Sequence, residues 1–296
     1  MPLYVPHRDL EQLEAQVRSA FDSGGHSSLG VLGYGEGSVV LNLETDRGGL
    51  ACKRLPTLPN RQRFELYQQS LYDYLRCLAD KGLRVADTEV WHQVLPSGKV
   101  VAYCVQDALP SGHLCSTLLH TEDESWARDF FGRFLDLVER VVTPTLGLDA
   151  QASNWMDLGG ELVYLDVTTP LMRDDHGRER LDVRLFVSSL PWILRAPVRL
   201  TMTRAMLEKY YSVRGVILDF LGNLHKEGLA DLVPALLSQA NARLKVPISY
   251  REAAAYYARD ARTWESIQRL RRADRLWQLR VRRRPYCFLL PPDVRR

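Results

Sequence analysis

The chain has 296 residues, of which 46% are hydrophobic and 25% charged, with a formal net charge of +3. These are ordinary values for a globular protein; they exclude a wholly disordered chain, and so small a basic excess does not point to nucleic acid or a membrane surface as partner. The length suits one globular unit of two lobes, or two modest domains, with a sizeable buried core.

The first residues, MPLYVPHRDLEQ, hold no apolar signal core, and no apolar run is long enough to span a bilayer, so the expected location is the cytoplasm. The five cysteines (Cys52, Cys77, Cys104, Cys115 and Cys287) are odd in number and widely spaced, without a Cys-x-x-Cys pair. Neither a zinc site nor a disulfide framework is expected from them. The seven histidines form no metal-ligand spacing.

Residues 9–21 place Leu10, Leu13, Val17 and Phe21 on one helical stripe, with Asp9 near the start. Residues 27–55 read as three short strands, with a glycine cluster between the first two and a turn at Asp46-Arg47-Gly48-Gly49 before the third. A second helix is expected over 62–80, with Phe64, Leu71, Leu75 and Leu78 inward. Strands follow at 88–95 and 99–106, joined by Pro96-Ser97-Gly98.

A break falls at about 107–113, and beyond it helical signals dominate. The helix over 123–142 carries Trp126, Phe130, Phe134, Leu137 and Val141 on one face. A short strand lies at 162–165, and a long terminal helix runs from about Ser249 to Arg283. A β-rich first third and a helical remainder predict an α+β fold with two lobes, residues 1–106 and 107–296, and a ligand cleft at the join.

Leu32 to Val40 (LGYGEGSVV) contains Gly33, Gly35 and Gly37. Glycine lets the main chain lie against phosphate and point N–H groups at it, so Gly33, Tyr34, Gly35, Gly37 and Ser38 are candidate nucleotide contacts, although hairpin turns also use glycine. Lys53 on the third strand is flanked by Ala51, Cys52 and Leu55. Burying an ammonium there calls for an anion such as phosphate, unless the side chain snorkels from an edge.

Asp149 and Asn154 stand five apart in a loop after the long amphipathic helix, and Asp166 follows twelve residues later at a strand end. A carboxylate such as Asp149 suits taking a proton from an acceptor hydroxyl. Asn154 and Asp166 offer the oxygen ligands that Mg²⁺ prefers. Each residue also has a plain structural reading, as turn former, helix cap or strand-end cap.

Taken in this order, the glycine loop, Lys53 and the Asp149–Asn154–Asp166 spacing resemble the protein-kinase-like superfamily. They lie nearer its small-molecule branch, the aminoglycoside and choline phosphotransferases, than the eukaryotic protein kinases. The motifs span residues 30–170, and the tail resembles an uncharacterised bacterial kinase-like group.

The resemblance implies a kinase-like phosphotransferase with Lys53 and Asp149 catalytic, ATP and Mg²⁺ as cofactors, and Asn154 and Asp166 as metal ligands. It also implies a hinge at Gln106, Asp107 and Leu109 against the adenine, and a partner for Lys53 on the following helix, left open among Glu65, Gln68 and Asp73. Nucleotidyl (AMP) transfer and an inactive nucleotide-binding scaffold are the alternatives. The pattern departs from the family in four places. The third glycine comes one residue early, Gly147 replaces the usual histidine, Val167-Thr168 replaces Phe-Gly, and no Ala-Pro-Glu segment follows.

Residues 269–284 hold eight arginines and one aspartate. Trp264, Ile267, Leu270, Trp277 and Val281 predict a stripe packed on the body. The arginines off that stripe either form a solvated face or, at the cleft mouth, select an anionic acceptor. Because the aromatics do not interleave with the charges, single-stranded nucleic acid is not the expected partner.

Overall fold

The structure, a computed structural model, describes residues 3–23, 29–35, 38–201, 203–284 and 286–291. Helix α1 (His7–Ser23) buries the expected Leu10, Leu13, Val17 and Phe21. Strands β1 (Val31–Tyr34), β2 (Val39–Thr45) and β3 (Gly48–Arg54) precede helix α2 (Arg61–Asp80). The short β4 (Arg84–Val85), then β5 (Glu89–Val94) and β6 (Val100–Asp107), come after it. Five of these strands form an antiparallel sheet in the order β1-β2-β3-β6-β5.

Both faces of this sheet are covered. Val101, Tyr103 and Val105 of β6 pack with the α1 stripe, while Val100, Ala102 and Cys104 pack with Phe64, Tyr67, Leu71 and Tyr74 of α2. Side chains alternate along a strand, so a strand covered on both faces reads apolar throughout, as β6 does. The α2 stripe differs from expectation: Tyr67 and Tyr74 are buried and Leu75 is half-buried at its flank. The tyrosines fit inside because each hydroxyl has a partner, the carbonyls of Thr168 (3.0 Å) and Gly147 (3.0 Å).

The rest of the chain is mainly helical. Helices α3 (Cys115–Thr121) and α4 (Glu124–Val141) lead to the hairpin β7 (Trp155–Leu158) and β8 (Glu161–Tyr164). Six further helices follow: α5 (Val183–Phe186), α6 (Trp192–Thr201), α7 (Thr203–Glu208), α8 (Val213–Lys226), α9 (Val233–Asn241) and α10 (Tyr250–Arg280). The fold is therefore α+β. Two features cross the expected division at residues 106 and 107. Strand β4 pairs in parallel with β8, and Leu289, near the end of the chain, is buried in the core between α1 and the sheet. No helix among the described residues is long and apolar enough to cross a membrane.

The terminal helix corrects the expected stripe. Trp277 is 49% exposed, Leu270 and Val281 are also exposed, and Trp264 and Ile267 are only half-buried. The buried positions are instead Ala253, Ala261, Gln268 and Arg271. The helix approaches α8 through small residues. A Cβ at Gly222 would stand 2.5 Å from Cδ1 of Tyr256, so the face brought inward is set by that close contact and not by the larger apolar side chains.

Below the sheet, Glu14 of α1 and Arg54 of β3 form a buried pair, 1% and 6% exposed. Arg54 donates to both carboxylate oxygens (2.8 and 3.1 Å), and Tyr103 and Arg18 add bonds of 2.8 and 3.0 Å. Burial pushes the Glu14 carboxyl up, but the hydrogen bonds and charge of Arg54 outweigh it and hold the group below its ordinary value.

Removing one partner strands a buried charge, so Glu14→Ala is expected to cost about 3–5 kcal/mol in urea unfolding. Glu65→Ala, which removes only an exposed pair with Arg61, should cost no more than about 1 kcal/mol. Because the Glu14 pKa is lowered on folding, its contribution is complete above 4.5 and is lost as pH falls through the lowered value. Equal costs for the two variants would refute the anchoring role. Trp277→Ala should change stability by no more than about 1 kcal/mol; a larger drop in melting would show that the side chain is packed.

Candidate functional site

The hairpin β7–β8 turns at Gly159 and Gly160, both with positive φ (69° and 94°), a conformation that side chains rarely adopt. Its register pairs Trp155 with Tyr164, so Asn154 and Leu165 meet just beyond the ladder, where Leu165 N–H donates to the Asn154 carbonyl (2.9 Å). The twelve-residue gap between Asn154 and Asp166 is thus the length of one hairpin, which sets the two residues side by side.

On β3, Cys52 belongs to the core under α1, and the side chain of Lys53 reaches Asp166 Oδ1 at 2.7 Å. Thr168 adds two donors to the same oxygen, its hydroxyl at 2.8 Å and its N–H at 3.3 Å. Among the described residues, Asp166 Oδ2 takes none of these bonds. Burial raises the Asp166 carboxyl, but the Lys53 charge and hydrogen bond prevail and hold it below the ordinary carboxylate value.

The loop bearing Asp149 is tied down through its backbone. Gly147 N–H donates to Leu171 O (2.8 Å) and Leu148 N–H to Tyr210 O (3.1 Å). The Asp149 carbonyl accepts from Asn154 Nδ2 (2.9 Å) and the Tyr164 hydroxyl (3.0 Å). The Asn154 amide nitrogen is thereby engaged, and the oxygen is the end left for a cation. The Asp149 carboxylate accepts from Gln151 (3.2 Å). Burial pushes it up to about 7, helped by the negative charges of Asp219 and Asp166 and opposed by Lys209. The surroundings thus drive these two carboxyl groups in opposite directions.

All four residues line one cavity of about 570 Å³, together with Gly33, Tyr34, Gly35 and Ser38. Gly35 N–H closes the turn on Ser38 O (3.0 Å), and a Cβ at Gly33 would meet nothing within 4 Å. The backbone at Gly33 is therefore open to close approach by a ligand. Gly37 lies outside the described residues.

The remaining expected contacts are placed elsewhere. None of Glu65, Gln68 and Asp73 is the partner of Lys53, which pairs with Asp166. Glu65 pairs with Arg61, and Asp73 with Arg76 and Arg180 (2.6 Å to Arg180). Gln68 bonds Tyr72. The face of α2 that turns inward presents Tyr67. Gln106, Asp107 and Leu109 do not line the cavity. The Gln106 side chain is taken by Thr88 and the Leu165 carbonyl (both 2.9 Å), and the adjacent Ala108 N–H by Gly49 O (2.9 Å).

Among the described residues, no arginine lines the cavity; the C-terminal segment reaches it through Asp260, Trp264 and Pro291 instead. The far wall instead carries residues missed in the sequence, Lys209 and Asp219. Lys209 donates to Asp219 Oδ1 and to the Tyr256 hydroxyl, both at 2.7 Å. A signal was present: Asp219 interrupts the apolar run from Val216 to Leu221 in α8. Among the described residues, no three His, Cys, Asp or Glu side chains group to hold a metal. As ligands to Mg²⁺, the oxygens of Asn154 and Asp166 would be a partial set for phosphate and water to complete.

The chain belongs to DUF6206, a family of unknown function. The family pattern matches residues 12–275 and so takes in every site residue described above. No curated protein matches the chain. In this DUF6206 member, packing explains the glycine at position 147. A Cβ there would lie 3.0 Å from Tyr210 O and 3.1 Å from both Leu171 Cβ and Tyr211 Cε1. Gly147→Ala is expected to cost about 1–3 kcal/mol in thermal or urea unfolding, the usual cost of overpacking. An unchanged melting curve would mean that the loop does not depend on this close approach.

Proposed function

We propose that the chain is an ATP- and Mg²⁺-dependent phosphotransferase of kinase-like two-lobed form, acting on a small-molecule acceptor. The sheet with α1 and α2 serves as the smaller lobe and the helical remainder as the larger. The observation that carries the reading is the convergence of Lys53, Asp149, Asn154 and Asp166, drawn from separate elements, on one cavity.

Each residue then has a task. Lys53 neutralises nucleotide phosphate, exchanging part of its contact with Asp166 for the incoming anion. Asn154, through its amide oxygen, and Asp166 hold Mg²⁺, which when bound supplies charge neutralisation to the transferring group. Asp149 orients the acceptor hydroxyl and takes its proton as the new O–P bond forms and the bond to the leaving ADP breaks. The glycine turn at Gly33 and Gly35 gives the phosphates room at the backbone.

A second reading, transfer of AMP, has one observation in its favour: Gln106, Asp107 and Leu109 do not line the cavity, so these three do not fix the direction in which the nucleotide lies. ATP labelled at the γ or the α position separates the two by which label reaches the product.

Mg²⁺ and ATP together are expected to raise the melting temperature, because a ligand that binds only the native state stabilises it. Asp166→Ala should abolish the Mg²⁺-dependent part of that shift. Asp149→Ala should keep binding while lowering turnover by about 10²–10⁴-fold. Absence of any shift at millimolar ATP, with calorimetry agreeing, would overturn the proposal.

A further inference from the structure

Asp219 is 2% exposed, yet it lines the cavity. Its two oxygens are unequal. Lys209 (2.7 Å) and Tyr256 (2.5 Å) both donate to Oδ1, while Oδ2 has no hydrogen-bond partner among the described residues. A buried carboxylate oxygen without a donor is costly, and proteins ordinarily satisfy such groups unless a ligand does so. Around it the wall offers neutral hydrogen-bonding groups, Gln151 and Asn223, and the side of Trp264. The Asn223 amide nitrogen is bonded to the Asp219 carbonyl (2.8 Å), which leaves its oxygen as a second acceptor.

We propose that Asp219 binds the acceptor: its Oδ2 takes a hydroxyl of a small neutral polyol whose neighbouring hydroxyl is presented to Asp149. The inference rests on the reading of the cavity as a phosphotransfer site, and it names the substrate class. Charge decides between the candidate donors. The Asp219 charge is already neutralised by Lys209, so what remains for a ligand is an acceptor atom and not an unpaired negative charge. That favours a hydroxyl over an ammonium.

An anionic acceptor is disfavoured for the complementary reason. Lys209 is committed to Asp219 and Tyr256, Lys226 stands 3.4 Å from Gln151 Oε1, and no arginine among the described residues lines the cavity. Among the described residues, four aspartates (Asp149, Asp166, Asp219 and Asp260) and three lysines (Lys53, Lys209 and Lys226) line the cavity, so an acidic ligand finds no excess of positive charge there.

The test is calorimetric titration of the full chain with glucose, sorbitol, glucosamine and glucuronate, each with and without Mg²⁺ and a non-hydrolysable ATP analogue. Glucose or sorbitol is expected to bind, with glucosamine no tighter and glucuronate at least about tenfold weaker. Asp219→Asn should weaken the polyol by about tenfold or more while leaving affinity for the Mg²⁺–ATP analogue within about twofold.

Tightest binding of glucosamine would show an unneutralised carboxylate, and tightest binding of glucuronate an anion site; either overturns the proposal. So does polyol affinity unchanged in Asp219→Asn, or no binding of any polyol while the ATP analogue binds. Polyol binding without any nucleotide binding would sink the phosphotransferase reading and keep Asp219 as a polyol ligand. Should Asp219→Asn not fold, the wild-type order of the four ligands still decides.

Discussion

The contact between Lys53 and Asp166 is the constraint on which the site depends. It joins the middle of β3 to the loop after β8, across 113 residues of sequence, at 2.7 Å. An ammonium on an inner strand needs a nearby negative charge, and a carboxylate at a strand end needs a donor; each residue supplies what the other lacks. The same short segment is held from other sides as well. Gln106 of β6 donates to the Leu165 carbonyl and Tyr67 of α2 to that of Thr168. Residues 165–168 are therefore fixed to the sheet and to α2 at successive positions, and the hairpin bearing Asn154 is placed with them.

This arrangement explains why tyrosines stand in the core stripe of α2. A leucine at position 67 or 74 would fill the volume but leave the carbonyls of Thr168 and Gly147 without these donors. Tyr74 thus orders the loop before Asp149, just as Tyr67 orders the segment after Asp166. The helix that supports the sheet also sets the two loops that carry the carboxylates, and a packing change in α2 would reach the site without any substitution in it.

Much of this was legible in the sequence because it is local. The hairpins, the α1 stripe and the α4 core follow from periodicities of two and about three and a half residues. Lys53, Asp149, Asn154 and Asp166 could be picked out because their chemistry and spacing are unusual together. What escaped has a physical cause in each case. The partner of Lys53 comes from the β8 end, not from α2, and no local pattern encodes a contact between residues so far apart. The α10 stripe failed because the helix is seated by the small residues Ala253 and Ala261 and by Tyr256 over Gly222, and a bulky apolar set at similar spacing was the wrong one to follow. Lys209 and Asp219 come from the helical region, where nothing but a carboxylate in an apolar run marks them.

Asp166 and Asp219 share a design that neither motif nor composition would suggest. In each, one oxygen is held by a lysine and a hydroxyl, from Thr168 in the first and Tyr256 in the second. The other oxygen is without a donor among the described residues. Asp149 lies in the same cavity, and the field of both aspartates contributes to raising its carboxyl to about 7, while Lys209 pulls the other way. Lys209 therefore does two things at once: it fixes the geometry of Asp219 and limits how much negative charge bears on Asp149. Were Lys209 lost, Asp219 would keep only the Tyr256 hydroxyl on Oδ1, and its full charge would press on Asp149. The cavity is balanced by pairs, which leaves two spare oxygens in the space that also holds the Asp149 carboxyl group.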